Sequence, residues 1–148
     1  MSFDEKYFST HTYANITFAK YSMYWWSNRF YAMLARRYGK RGARFLEVGS
    51  GMGHLTGQLE DTFETFGCDL NHWAVQQSKS VVNTSSLQTA SAQELPYNDG
   101  VFNVVIIKQI VEHLPRRHWP SIQECFRPPR QHERRTRSGR IPDRSHRS

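Results

Sequence analysis

Three glycines at alternate positions, Gly49, Gly51 and Gly53, follow a short apolar run that ends in Glu47 and Val48, within the stretch RFLEVGSGMGHL. Glycine lacks a Cβ, so it permits positive φ and lets a ligand approach the backbone closely, at an entropic cost that an ordinary loop has no reason to repeat three times. The stretch is a candidate cofactor loop. A dinucleotide site requires G-x-G-x-x-G, whose third glycine lets the helix pack tightly while pyrophosphate sits at its N-terminus. Here His54 stands where that third glycine would be. No Lys-Ser or Lys-Thr follows the glycines, so a P-loop is excluded. What remains is a ligand that passes close to the backbone without delivering a phosphate. Sixteen residues beyond Gly53, Asp69 ends the next apolar run. A carboxylate at the carboxyl edge of a sheet can accept hydrogen bonds from both hydroxyls of a ribose. The plainer alternative is an Asp that caps a turn in CDLN.

These residues need a scaffold, and the pattern of the chain supplies one. From about Ala14 to Tyr38 the sequence is helix-like, with Met23, Trp26, Phe30, Leu34 and Tyr38 at spacings of three and four in one apolar stripe. Tyr24, Trp25 and Tyr31 fall off that stripe and either pack against a neighbouring element, the commoner outcome, or cover an acceptor pocket. Gly39 to Gly42 ends the helix. Then β and α signals alternate: RFLEV reads as a strand, Met52 to Asp61 as a helix, TFGCD as a strand, and Trp73 to Val82 as a helix begun by Asn71. SLQTA is a weaker strand. VFNVVIIK is a strong one, nearly unbroken and β-branched, as found where a parallel strand is buried on both faces. Trp119 to Arg127 closes the series as a helix. Strands separated by helices of this length make an open parallel sheet with right-handed crossovers.

The 148 residues make one domain, and their formal charge of +7 suggests nucleic acid until it is located. Residues 128–148 carry seven Arg against Glu133 and Asp143, a net +5, so the remainder holds only +2 and no globally basic face is indicated. That segment has one aliphatic residue, Ile141, and no aromatic, too little to offset its ordering entropy, and is expected to be disordered. A tail without a partner, or the product of a shifted reading frame, is favoured over an Arg-rich nucleic-acid arm. Cys68 and Cys125 form no CxxC and read as two unpaired thiols of a reducing compartment. No apolar run approaches the ~20 residues of a membrane span, and Asp4, Glu5 and Lys6 stand where a signal peptide would turn apolar.

EVGSGMG, GCDLN, ASAQELPY and VVIIKQIVEHLP, in that order, resemble the class I S-adenosylmethionine-dependent methyltransferases, in particular the small-molecule and lipid-modifying group with Leu-Pro after Glu-His. The resemblance covers Phe45 to Pro115. Each motif is weak alone; four in order at the family's spacing signal the fold and the cofactor, S-adenosyl-L-methionine, and say little of the acceptor. By this resemblance Glu47 would hold the ammonium end of the cofactor, often through water, and Gly49, Gly51 and Gly53 would let its methionine part lie against the backbone. Ser50 in the same loop and Lys108 after the fourth strand are counted with the binding residues. Asp69 would take the ribose and Leu70 the adenine face. The adenine amino group is commonly met by an Asp at the end of the third strand, where this chain has Ser91, then Ala92 and Gln93, and so lacks charge assistance. The fourth strand commonly carries an Asp where this chain has Asn103. Because the sulfonium is already activated, positioning of the acceptor and removal of its proton supply most of the catalysis. Lys108, Gln109, Glu112 and His113 would face the methyl end. His113, whose ordinary titration lies near neutrality, is the candidate general base, against a helix-surface or capping histidine. Some relatives bind a metal with this Glu-His pair, and His118 follows five positions later; no metal is expected here.

The expected fold is α/β, a Rossmann-like doubly wound parallel sheet, incomplete at about four strands. A helical cap at 1–42 precedes an S-adenosylmethionine-binding domain at 43–127 and the Arg-rich tail at 128–148. The expected activity is methyl transfer to a small-molecule or lipid-like acceptor in the cytoplasm, without a nucleic-acid partner or a membrane span. Two rivals are a non-catalytic cofactor-binding remnant and an RNA methyltransferase that uses the tail. The family's sheet has seven strands, with a Pro-Gly-Gly turn after the fourth, whereas here PPRQHERR follows ECFR. An incomplete catalyst is therefore expected, with VFNVVIIK as an apolar sheet edge that leaves the isolated chain poorly soluble, in need of a partner, or self-associating.

Overall fold

The computed structural model describes residues 17–108, 110, 116 and 119–126. The first element among the described residues is helix α1, Met23–Tyr38. The helix begins nine residues later than the periodicity suggests, because Tyr21 adopts a left-handed φ of 70° and Ser22 caps the first turn, its Oγ accepting from Trp25 N at 3.2 Å. At the other end Gly39 leaves the helix in an extended conformation while its N–H still reaches Ala35 O. The 3-4 apolar stripe is not the buried face. Met23, Trp26, Phe30 and Tyr38 are exposed, and the buried positions are Asn28, Ala32 and Ala35. The reason is steric: two alanines let the helix axis approach Phe45, Leu55, Leu59 and Phe63, which a row of Trp and Phe would hold off.

Strand β1, Arg44–Val48, follows, and the one-turn helix α2, His54–Gly57, replaces the longer helix expected from Met52 to Asp61. After Gly57 the chain tightens into turns closed by three-residue bonds, Gln58 N to Leu55 O and Leu59 N to Thr56 O, and turns down into β2, Glu64–Asp69. Helix α3, His72–Ser78, starts at Asn71 as expected, with Asn71 Oδ1 accepting from Ala74 N at 2.7 Å, and ends four residues short of Val82. Strands β3, Ser86–Thr89, and β4, Val104–Ile107, and helix α4, Trp119–Cys125, complete the described elements.

The four strands form one parallel sheet in the order β3-β2-β1-β4. Leu46 lies beside Phe66 on one flank and Val105 on the other. Strand order reverses at β1, so the crevice at its carboxyl end is the topological switch point of a doubly wound sheet. Alternation along β1 divides the core. Phe45 faces α1 and α2 with Ala32, Ala35, Leu55, Leu59 and Phe63, while Leu46 and Val48 face Cys68, Phe102 and Cys125 on the other side. β4 is half-buried, not buried on both faces as its composition suggests, because among the described residues it pairs with β1 alone and forms the sheet edge. Residues 127–148 lie outside the described residues, as do 1–16. Among the described helices none is long and apolar enough to cross a membrane.

Candidate functional site

The carboxyl ends of β1 and β2 carry the site. β1 runs directly into the glycine loop, where Gly49, Gly51 and Gly53 take φ values of 80°, 51° and 77°. All three are left-handed, the conformation for which a Cβ is penalised, so the spacing read from the sequence is a backbone requirement. The loop is tied to β2: Gly49 N and Ser50 N both donate to Cys68 O, at 2.8 and 3.0 Å. Asp69 fixes it further, with Oδ2 accepting from Gly51 N at 2.7 Å and Oδ1 from Asn71 N at 2.8 Å. Burial raises the Asp69 pKa, and these two backbone donors oppose the rise. The turn-capping reading of Asp69 is therefore part of its role; each carboxylate oxygen keeps a lone pair beyond the bond drawn here.

Leu70 projects beside Asp69 with 57% of its surface exposed, unusual for a leucine next to a closed loop. Ala90 N donates to Asp69 O, bringing the segment after β3 to the same edge. There Ser91 Oγ accepts from Gln93 N at 3.1 Å, Ala92 packs on the β1 core, and Gln93 is exposed. Asn103 lies at the opposite end of the sheet, where its Oδ1 accepts from Arg44 N at 3.0 Å.

Glu47 is buried one residue before the end of β1. Its Oε2 accepts from Thr56 N at 3.1 Å and Thr56 Oγ1 at 2.5 Å. Burial pushes the carboxyl pKa up to about 7, against the Thr56 hydrogen bonds and the positive charge of Lys108. Lys108, at the carboxyl end of β4, is itself buried and donates from Nζ to Asn28 Oδ1. Its ammonium stands 5.0 Å from the Tyr24 ring centroid and 5.8 Å from that of Tyr31. Burial lowers its pKa, and Glu47 opposes that shift. Tyr24 and Tyr31 thus pack against Lys108 after β4, and Tyr24 also against His54 of α2, contacts with neighbouring elements. His54 lies between, stacked on Phe18 at 5.0 Å and edge-on to Tyr24 at 5.6 Å. Burial, then the charge of Lys108, lowers its pKa.

The structure thus gathers Glu47, Gly49, Ser50, Gly51, Gly53, Asp69, Leu70 and the 91–93 segment on one sheet edge, with Lys108 facing Glu47. His113, the candidate base, lies outside the described residues, with Gln109, Glu112 and His118. Thr56, Asn28 and His54 are additions. Asn28 carried a signal: it is a lone amide between aromatics, on the face that holds Ala32 and Ala35. Thr56 carried none. No three His, Cys, Asp or Glu among the described residues are grouped to hold a metal, and Cys68 and Cys125 are free, buried thiols.

Ser50 Oγ and His54 Nε2 are buried without a hydrogen-bond partner. Ser50 Oγ lies over β2, where a Cβ at Gly67 would come within 3.1 Å of it, and a buried hydroxyl without a partner in this loop is a group that a polar ligand can satisfy. A methyltransferase-domain family model matches residues 46–131. The chain belongs to this family of methyltransferase domains. Its sheet is that of the class I S-adenosylmethionine-dependent methyltransferases. Solved structures similar to this methyltransferase domain include the YcgJ protein from Bacillus subtilis, at 19% identity and TM-score 0.61, which covers 68% of this chain and 46% of that one. A TehB-like SAM-dependent methyltransferase from Corynebacterium glutamicum is 19% identical with TM-score 0.57, covering 64% of this chain and 55% of the other. The PH0226 protein from Pyrococcus horikoshii is 22% identical with TM-score 0.62, covering 85% and 62%. The domain therefore spans about half the length of the first two. No curated protein sequence matches it.

Proposed function

We propose that this domain binds S-adenosyl-L-methionine across the carboxyl ends of β1 and β2 and transfers its methyl group to a small-molecule or lipid-like acceptor in the cytoplasm. The observation that carries the reading is the glycine loop, left-handed at three alternate residues and held by the Asp69 carboxylate. Glu47 would hold the ammonium end; Gly49, Ser50, Gly51 and Gly53 would line the methionine part; Asp69 would accept from the ribose hydroxyls. Leu70 would cover the adenine face, and Ser91, Ala92 and Gln93 its edge. When bound, the cofactor supplies a methyl group already activated on a sulfonium. The protein's own work is then to orient the acceptor, exclude water and take up a proton. Tyr24 and Tyr31 exclude water above Lys108, which stands at the methyl end, and proton removal is assigned to His113.

Calorimetry with S-adenosylmethionine, S-adenosylhomocysteine and NAD tests the cofactor. The first two are expected to bind and NAD not. Asp69→Ala is expected to weaken binding by about 1.5–3 kcal/mol, the range for hydrogen bonds to a charged group. Unchanged affinity in that variant removes Asp69 from the site. Binding without methyl transfer to any acceptor would instead favour the reading as a non-catalytic cofactor-binding remnant.

A further inference from the structure

Among the described residues, no hydrogen bond or ring contact joins the outward face of α1 to the glycine loop, Asp69 or Lys108. Six large apolar side chains, Tyr21, Met23, Trp26, Phe30, Met33 and Tyr38, run along the helix and its entry with between 54% and 85% of each exposed. Single exposed apolar residues are ordinary, but a continuous row along a sixteen-residue helix is not. Along the helix and its flanks in sequence the charge is of one sign, with Asp61 reaching the helix from elsewhere in the chain to pair with Arg36. Between residues 17 and 43 the chain has no Asp or Glu, while Lys20, Arg29, Arg37, Lys40 and Arg41 are exposed. Arg36 is not counted with them, because it is held by Asp61 at 3.0 Å and by Gln58 O at 2.6 Å.

We infer that this face docks on an anionic lipid surface, with α1 lying in the plane of the interface. The chemistry of the row selects that occupant. A helix with Trp, Phe and Met on one side and cations at its borders seats its apolar side chains below the headgroups while the cations meet lipid phosphates. Trp26 and Tyr38, apolar in body and polar at one tip, suit the boundary. A second copy of the chain would bring Arg29, Arg37 and Arg41 against their own counterparts, a like-charge contact. A nucleic acid would satisfy the cations but leave Met23, Phe30 and Met33 in water. The apolar row does not line the loop or Lys108, so docking leaves the site's own contacts in place. The inference stands apart from the methyl-transfer reading and does not depend on it.

The test is cosedimentation of the full 148-residue chain with vesicles of phosphatidylcholine alone and of phosphatidylcholine with phosphatidylglycerol. Binding is expected to the anionic vesicles and to fall with added salt. The double variant Phe30→Ser with Met33→Ser, both at exposed positions, is expected to reduce partitioning at least about tenfold, since each buries a large apolar side chain in lipid. Circular dichroism and a thermal melt confirm that the variant is folded. Absence of binding to anionic vesicles overturns the inference. So does binding that the double variant leaves unchanged, which would assign it to the Arg-rich segment 128–148. A dimer in analytical ultracentrifugation that the double variant abolishes overturns it in favour of a second copy.

Discussion

Glu47 holds its carboxyl group in the interior with one threonine as its hydrogen-bond partner and a lysine charge nearby. Its pKa is raised from 4.5 to about 7, so the folded protein binds this proton more tightly than the unfolded chain does. The resulting stability is fully present below about 4.5 and is lost as pH rises through about 7. Relative to Glu47→Gln, the parent is expected to lose on the order of 3 kcal/mol across that window, which denaturant titrations at several pH values read directly. A parallel pH dependence in parent and variant would show that Glu47 titrates normally. At this scale the sequence was informative where the backbone dictates residue type. Left-handed Gly49, Gly51 and Gly53, and a carboxylate one strand later at Asp69, follow from local rules. The Thr56 bond to Glu47 and the Asn28 bond to Lys108 were not legible, since the second joins residues 80 positions apart. The first is set by how α2 lies on β1 and the second by how α1 lies on the sheet, which no local rule specifies.

α1 shows the same divide among elements. Its existence and its end at Gly39 follow from periodicity and a glycine; the side it turns inward does not. Hydrophobic spacing marks Met23, Trp26 and Phe30, yet close approach to the sheet selects Ala32 and Ala35. The helix lengths were overestimated where the chain bends early, after Gly57 and Ser78. Gly39 measures how close the approach is. Its φ of −94° suits any residue, so no backbone strain enters, but a Cβ there would lie 2.5 Å from Phe63 Cε1 and 2.8 Å from Val104 Cγ2. Gly39→Ala is therefore expected to cost about 1–3 kcal/mol, the range for overpacking a filled space, seen as a lower urea midpoint with an unchanged slope. An alanine accepted without loss would mean that the α1 exit has room to move away from the sheet.

Across the whole molecule, stability should follow the order of the strands. Among the described residues β1 and β2 are paired on both sides, β3 and β4 on one, so native-state hydrogen exchange is expected to be slowest at Leu46 to Val48 and Phe66 to Cys68, and faster along Val104 to Ile107. Equal protection in β4 would mean that its outer side is covered in solution. The parallel α/β class was legible from alternating segments; that β4 would be an edge followed only from counting strands, and its half-buried state shows what composition could not. Strand order also sets a clock. On a ribosome, β1 meets β2 after 20 residues, but the contact of Arg44 with Asn103 that starts the β1–β4 pair spans 59. At about 5–20 residues per second of synthesis, that second edge of β1 waits roughly 3–12 s for its partner. Throughout that interval Phe45, Leu46 and Val48, fully covered in the folded chain, border an open strand edge. A chaperone that binds extended apolar segments has those seconds in which to act, and loses its target when Val104 to Ile107 emerge and pair.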